Sequence, residues 1–197
     1  LKEISRANNY LQYYYHAWSS EIIYFLNQQR SLLALQKAEK MKKQAFADRY
    51  PYGIFSCIRT MGHIYKSRGN FDLSAQYYQE ALDYMLKNMP DQDPSQLYSS
   101  LAEYYRNTQK DYATALDYCE KALKSAKTER NIAQAMIEKC LVLFRQGRID
   151  EFNDCYKEAV QMADRCKLSA SVSLLIAHIS KNILDKQYEQ AHAHADQ

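Results

Sequence analysis

Metal coordination is the first chemistry that the side chains of this sequence could support. His192 and His194 lie two residues apart and close to Asp196, and imidazole and carboxylate groups are common metal ligands. Side chains two residues apart on a helix point in different directions, however, so the two histidines would not chelate one ion together. The other three histidines are scattered along the chain. We therefore predict no metal site and no cofactor.

Thiol chemistry is the second possibility, because the chain contains five cysteines. An odd number leaves one cysteine unpaired in any complete disulfide scheme, and the sequence has no CxxC pair and no zinc-type spacing. Cys119 and Cys140 fall on inward-facing positions of a repeated pattern, where a free cysteine packs as a small apolar side chain. We expect all five cysteines to be reduced, which favours a reducing compartment.

Enzymatic catalysis finds no support in the sequence motifs. The chain lacks the glycine-rich phosphate-binding motifs, the GxSxG nucleophile motif and the HExxH zinc-protease motif. We predict a non-catalytic domain without catalytic residues.

Composition indicates a folded, all-α protein. The chain is 47% hydrophobic and 25% charged, it contains only four glycines and three prolines, and strand-type alternation is absent. A net charge of +3 is too small to predict a nucleic-acid partner. No apolar run approaches the roughly 18 residues that a membrane span needs.

A pattern of apolar, small and aromatic residues occurs three times at a spacing that is typical of stacked helical hairpins. Each copy is an apolar helix, a short turn and a second helix that ends in alanine. In chain order the copies contain Ile58, Met61, Gly62, Tyr65, Gly69, Phe71, Ser74, Tyr78 and Ala81, then Tyr98, Leu101, Ala102, Tyr105, Tyr112, Ala115, Cys119 and Ala122, and then Met136, Cys140, Leu143, Gly147, Ile149, Phe152, Tyr156 and Ala159.

These residues resemble the tetratricopeptide repeat (TPR) family, strongly over 54–127 and less closely to 165. The resemblance implies an all-α superhelix of about five antiparallel helical hairpins, at about 1–48, 52–89, 94–128, 131–166 and 168–197, the last one truncated. Apolar residues at three- and four-residue steps predict helices at 3–26, 30–47, 53–68, 71–88, 95–109, 112–127, 131–146, 149–165, 169–185 and 188–197. The first residue is Leu1 rather than Met, so we expect a fragment of a longer protein.

Family geometry also implies where a partner would bind, because the first helix of each hairpin lines a concave groove. The corresponding positions predict a binding surface that runs from basic to apolar and suits an extended peptide or a helix. The alternative is a groove that is only the solvated inside of a scaffold. The candidate residues are Arg59, His63, Lys66, Glu103, Arg106, Ile137, Leu141, Phe144 and Arg145.

One known type of groove does not fit. TPR modules that grip the C-terminal carboxylate of chaperones use lysine, arginine and asparagine at five positions. The matching positions here hold Arg59, His63, Ser100, Gln134 and Glu138, and the glutamate would repel a carboxylate.

A finer similarity concerns the run from Tyr52 to Ser56, the turn at Gly69, the pair Tyr77 and Tyr78, and the loop 90–94. These features look like the N-terminal sensor regions of two-component histidine kinases from Bacteroidetes. That similarity implies a sensory input role, which would be periplasmic, in contrast to the cysteine argument.

Two other functions remain open. One is a cytoplasmic TPR-type regulator that binds a signalling peptide and controls a response regulator or a transcription factor. The other is a phosphatase-like enzyme built on the same repeats, for which Glu103 is the candidate residue. A homodimer is also possible in either case.

Overall fold

The computed structural model describes residues 2–168 and 172–195, with side chains for 2–168 and 173–186. The described chain is helical throughout and has no strand. The helices are α1 (Lys2–Ala7), α2 (Leu11–Asn27), α3 (Ser31–Ala47), α4 (Pro51–Ser67), α5 (Phe71–Asn88), α6 (Ser95–Tyr104), followed by a π-helical turn (Tyr105–Gln109), α7 (Tyr112–Ser125), α8 (Glu129–Arg145), α9 (Ile149–Arg165) and α10 (Val172–Ala195).

Local sequence explains where several helices begin. The side chains of Asn70, Asp111 and Thr128 each accept a hydrogen bond from a backbone N–H three residues later, at 3.1 to 3.2 Å. These N-caps satisfy donors that the first turn of a helix leaves unpaired. Pro51 occupies the first turn of α4, where its missing N–H is not needed.

Most of the turns between helices contain one residue in the left-handed backbone conformation. Glycine adopts this conformation at no steric cost, and other residues adopt it less readily. The left-handed residues are Gly69 and Gly147, together with Asn9, Gln29, Arg49, Lys110 and Lys167.

Helix pairs form antiparallel hairpins that we number from the second helix onward: α2/α3, α4/α5, α6/α7 and α8/α9. Their closest approach involves the small residues of the repeat. In the second hairpin, a Cβ atom added to Gly62 would lie 2.6 Å from the Tyr78 ring, so only glycine fits there. Ala81 and Ala122 are completely buried at the corresponding inward positions. Neighbouring hairpins stack on one another, which confirms the predicted TPR-like solenoid.

The core follows the stack instead of closing around one centre. One cluster runs from α2 to α6 and a second from α8 to α10, and a smaller group containing Ala102, Cys119 and Val142 lies between them.

The aromatic residues of α2 divide between the two sides of that helix. Tyr15 is fully buried, whereas Tyr13 is exposed.

The two ends of the array differ from the sequence prediction. The helix predicted at 3–26 is interrupted at Asn9, which is left-handed with φ 58°. In place of the helices predicted at 169–185 and 188–197, the structure has the single helix α10; residues 169–171 and 196–197 lie outside the described part. Within the described residues, no helix combines the length and hydrophobicity that a bilayer crossing requires.

Candidate functional site: the concave groove

The first helices of three consecutive hairpins, α4, α6 and α8, share one concave surface. A cavity of about 280 Å³ opens on it. Four of the predicted residues line it: Arg59 and His63 on α4, Glu103 on α6 and Ile137 on α8. Gln96 and Ser99 on α6 and Gln134 on α8 also contribute to the lining.

Arg59 is the most unusual of these residues. Its Nε is buried and has no hydrogen-bond partner. Its guanidinium lies over the ring of Phe55, 5.3 Å from the centroid. None of the described carboxylates forms an ion pair with it. Burial lowers the pKa of Arg59, but an arginine side chain stays protonated in proteins. The groove therefore contains a cation without a counter-charge.

His63 lies one turn further along α4 and does not add to this charge. Its Nδ1 is 3.0 Å from the hydroxyl of Tyr78. Burial, and then the positive charges of Arg59 and Lys66, lower the pKa of His63 to about 4. The imidazole is thus neutral at pH 7. Burial also raises the pKa of Tyr78 to about 12, so the pair is an uncharged hydrogen-bonding unit.

Lys66 and Glu103 neutralise each other across the groove. The Lys66 Nζ lies 2.5 Å from the Glu103 Oε2, which joins α4 to α6. The pair borders a second depression of about 270 Å³, to which Phe71 and Tyr104 contribute rings. Glu103, the candidate residue of the phosphatase-like alternative, is engaged in this ion pair.

Arg106 and the predicted apolar residues are placed mainly in the packing between helices. Arg106 forms a buried ion pair with Glu138. Leu141 is only 2% exposed, and Phe144 is half-buried with its ring 5.7 Å from that of Phe152. Of the residues predicted for the basic and apolar halves of the groove, Arg59, His63 and Ile137 line the cavity.

Arg145, the last of the predicted residues, is exposed at the end of α8 and does not line the cavity. The cavity is also lined by residues that were not among the predicted binding residues, including Tyr78 and Glu138. Tyr78 comes from the second helix of its hairpin, and Glu138 follows Ile137 on α8. The repeat pattern had marked Tyr78 only as a packing residue.

Metal binding has no support in the part of the chain whose side chains are described. No group of three or more His, Cys, Asp or Glu side chains there could hold an ion. The side chains of His192 and His194 lie outside that part.

Residues 54–128 match the family model described as tetratricopeptide repeat, which covers the second and third hairpins and the groove residues of α4 and α6. A comparison with curated proteins gives no match.

Proposed function

We propose that this chain is a protein-interaction scaffold, as expected of the tetratricopeptide repeat family whose model matches residues 54–128, and that it holds an acidic group of a partner protein against Arg59 in the concave groove. The partner is an extended peptide segment. It carries an aspartate or a glutamate.

The unpaired guanidinium of Arg59 carries this proposal. Removing a charge from water without a partner is unfavourable, and natural proteins pair such charges or place them where a ligand provides the partner. A carboxylate matches the planar guanidinium with two parallel hydrogen bonds. Such a ligand would give the Arg59 side chain the counter-charge that the described residues do not supply.

The surrounding groups fit a peptide backbone. Gln96, Ser99 and Gln134 line the same cavity and carry neutral hydrogen-bonding groups. Such groups bind the N–H and C=O of an extended chain without adding charge. A volume of about 280 Å³ is at the low end for a small-molecule site, and it suits one or two side chains of a longer ligand.

The ligand should carry few other charges near its anchoring carboxylate. Lys66 is already paired with Glu103, and His63 is neutral at pH 7. A polyacidic segment would therefore find no second free cation among Arg59, His63 and Lys66.

A more specific role, sensory input, is proposed from the sequence similarity to sensor regions of two-component histidine kinases. In that role, occupation of the groove is the input signal of a longer signalling protein. This part of the proposal rests on the similarity alone, and detection of a kinase core in the same gene product would test it.

The groove proposal is tested with an immobilised array of peptides in pairs that differ only by Asp/Asn or Glu/Gln. We expect the wild-type chain to prefer the acidic member and Arg59→Gln to lose at least about tenfold in affinity, since each 1.4 kcal/mol is tenfold. The matched control is Arg165→Gln, because Arg165 is exposed at the end of α9. Equal binding of acidic and amide peptides, or full binding by Arg59→Gln, would overturn the proposal.

A further inference from the structure

Two cysteines of the fourth hairpin touch each other. Cys140 on α8 and Cys155 on α9 have their Sγ atoms 2.8 Å apart, and both are free thiols. Cys140 is completely buried, whereas Cys155 is partly exposed. None of the other cysteines, all of which lie in the described part of the chain, makes a contact of this kind.

Cys155 can be reached from the surface. It lines a depression of about 370 Å³ between α7, α8 and α9, on which Lys139, Glu151, Asp154 and Glu158 also border. A reagent that enters this depression meets the Cys155 sulfur first, with the Cys140 sulfur directly behind it.

The two thiols differ in acidity. The Cys140 thiol donates a hydrogen bond to the Cys155 sulfur, which favours the thiolate of Cys155 and lowers its pKa; Lys139 acts in the same direction. The same hydrogen bond, together with burial, raises the pKa of Cys140. Since the thiolate is the nucleophile in thiol–disulfide exchange, Cys155 should react first.

We propose that Cys140 and Cys155 form a dithiol modification site, which a small organic disulfide converts reversibly into a disulfide across the fourth hairpin. A disulfide needs its sulfurs about 2.05 Å apart, so the two Sγ atoms must approach by roughly 0.8 Å.

The reaction proceeds by two exchanges. The Cys155 thiolate attacks one sulfur of the disulfide reagent, forms a mixed disulfide and expels the first reagent thiolate, which takes up a proton. Cys140 then loses its proton, and its sulfur attacks Cys155 Sγ and expels the second reagent thiolate. The two cysteines lose two electrons and two protons in total, and the reagent is reduced to two thiols.

The charge around the depression predicts which reagent is preferred. Glu151 is paired with Arg148, and Lys139 is paired with Glu120. Asp154 and Glu158 have no such partner among the described residues. A dication such as cystamine should therefore react faster than glutathione disulfide, which is anionic.

The test treats the full chain with cystamine or glutathione disulfide and follows intact mass and non-reducing peptide maps. We expect cystamine to join Cys140 to Cys155 with a loss of two hydrogens. At low salt this reaction should be at least about threefold faster with cystamine than with glutathione disulfide. At high salt the difference between the two rates should be smaller, because salt screens the charges. Dithiothreitol should restore the starting mass. A wild-type chain that stops at mixed disulfides, or joins another pair of cysteines, would overturn the proposal.

Variants separate the two steps. Cys140→Ala should stop at a stable mixed disulfide on Cys155, whereas Cys155→Ala should leave Cys140 unmodified. The control Cys166→Ala should form the bridge at the wild-type rate. Equal modification of Cys140 and Cys155 would contradict the order of attack. Circular dichroism checks that each variant is folded, and the wild-type peptide map decides the existence of the bridge independently of the variants.

Discussion

Arg106 and Glu138 form a buried ion pair that joins the third hairpin to the fourth. The Arg106 Nε lies 2.7 Å from Glu138 Oε1, Nη2 lies 3.3 Å from Oε2, and each side chain is only 6% exposed. Arg106 reaches this position from the π-helical turn at the end of α6. Burial raises the pKa of Glu138, and the charge of Arg106 opposes that shift. The pair is therefore a structural connection between repeats.

Removing one partner of this pair should destabilise the protein strongly. For Glu138→Gln we expect a loss of about 3–5 kcal/mol in the free energy of unfolding, because Arg106 would stay buried without its counter-charge. Urea denaturation measures the change. Asp117→Asn, which breaks an exposed pair with Lys121, should cost less than about 0.5 kcal/mol. Similar small effects for both variants would show that the buried pair is not a structural connection.

Removing Arg59 should have the opposite effect on stability. We expect Arg59→Met to raise the free energy of unfolding by about 1 kcal/mol, because a buried, unsatisfied donor is replaced by an apolar side chain. Thermal denaturation without ligand measures this, and Arg165→Met is the exposed control. A clear loss of stability in Arg59→Met would assign Arg59 to the fold and not to ligand binding.

Acid should weaken the N-terminal end of the array through Asp48. Its carboxylate accepts hydrogen bonds from Arg6, Tyr15 and Gln44, and the bonds from Arg6 contribute most to lowering its pKa to about 2 from 3.8. A lowered folded-state pKa gives stability that is present above about pH 4 and is lost as the pH falls through 2.

The expected loss over that pH window is about 1–2 kcal/mol. Urea denaturation at pH 5, 4, 3 and 2 measures it against Asp48→Asn, which should show a shallower pH dependence. Parallel curves for the wild type and the variant would contradict the role of Asp48.

The packing of the third hairpin can be tested at Ala122, which is completely buried. Ala122→Leu adds volume where the helices are in contact, so we expect a loss of about 1–3 kcal/mol. Ala113→Leu places the same side chain on an exposed position of α7 and should change stability little. Equal melting temperatures for the two variants would mean that the repeat register is wrong.

The repeat residues predicted the hairpins well because they report close packing directly. A small residue such as Gly62 must face a bulky one such as Tyr78 wherever two helices approach.

The break at Asn9 was missed because apolar periodicity continues on both sides of it. Asparagine tolerates the left-handed conformation, so the pair Asn8–Asn9 contained a usable signal.

The charge of the groove could not be predicted from the sequence, because it depends on ion pairs between hairpins. Spacing along each first helix gave several residues that line the cavity, including Arg59 and Glu103. It could not show that Lys66 pairs with Glu103, or that Arg106 turns towards Glu138, since these contacts depend on how neighbouring hairpins stack. The net charge of a groove is a property of the assembled array and not of one helix.

The left-handed turns at Gln29, Arg49 and Gly69 are twenty residues apart. Each step contains one helix and its turn, so two steps make one hairpin. A whole hairpin can therefore be removed or duplicated. If the segment runs between two equivalent turns, the backbone conformation at each junction is preserved. In an array whose repeats contact only their neighbours, such a change alters the length and curvature of the array. Each remaining interface still joins the same two types of helix surface.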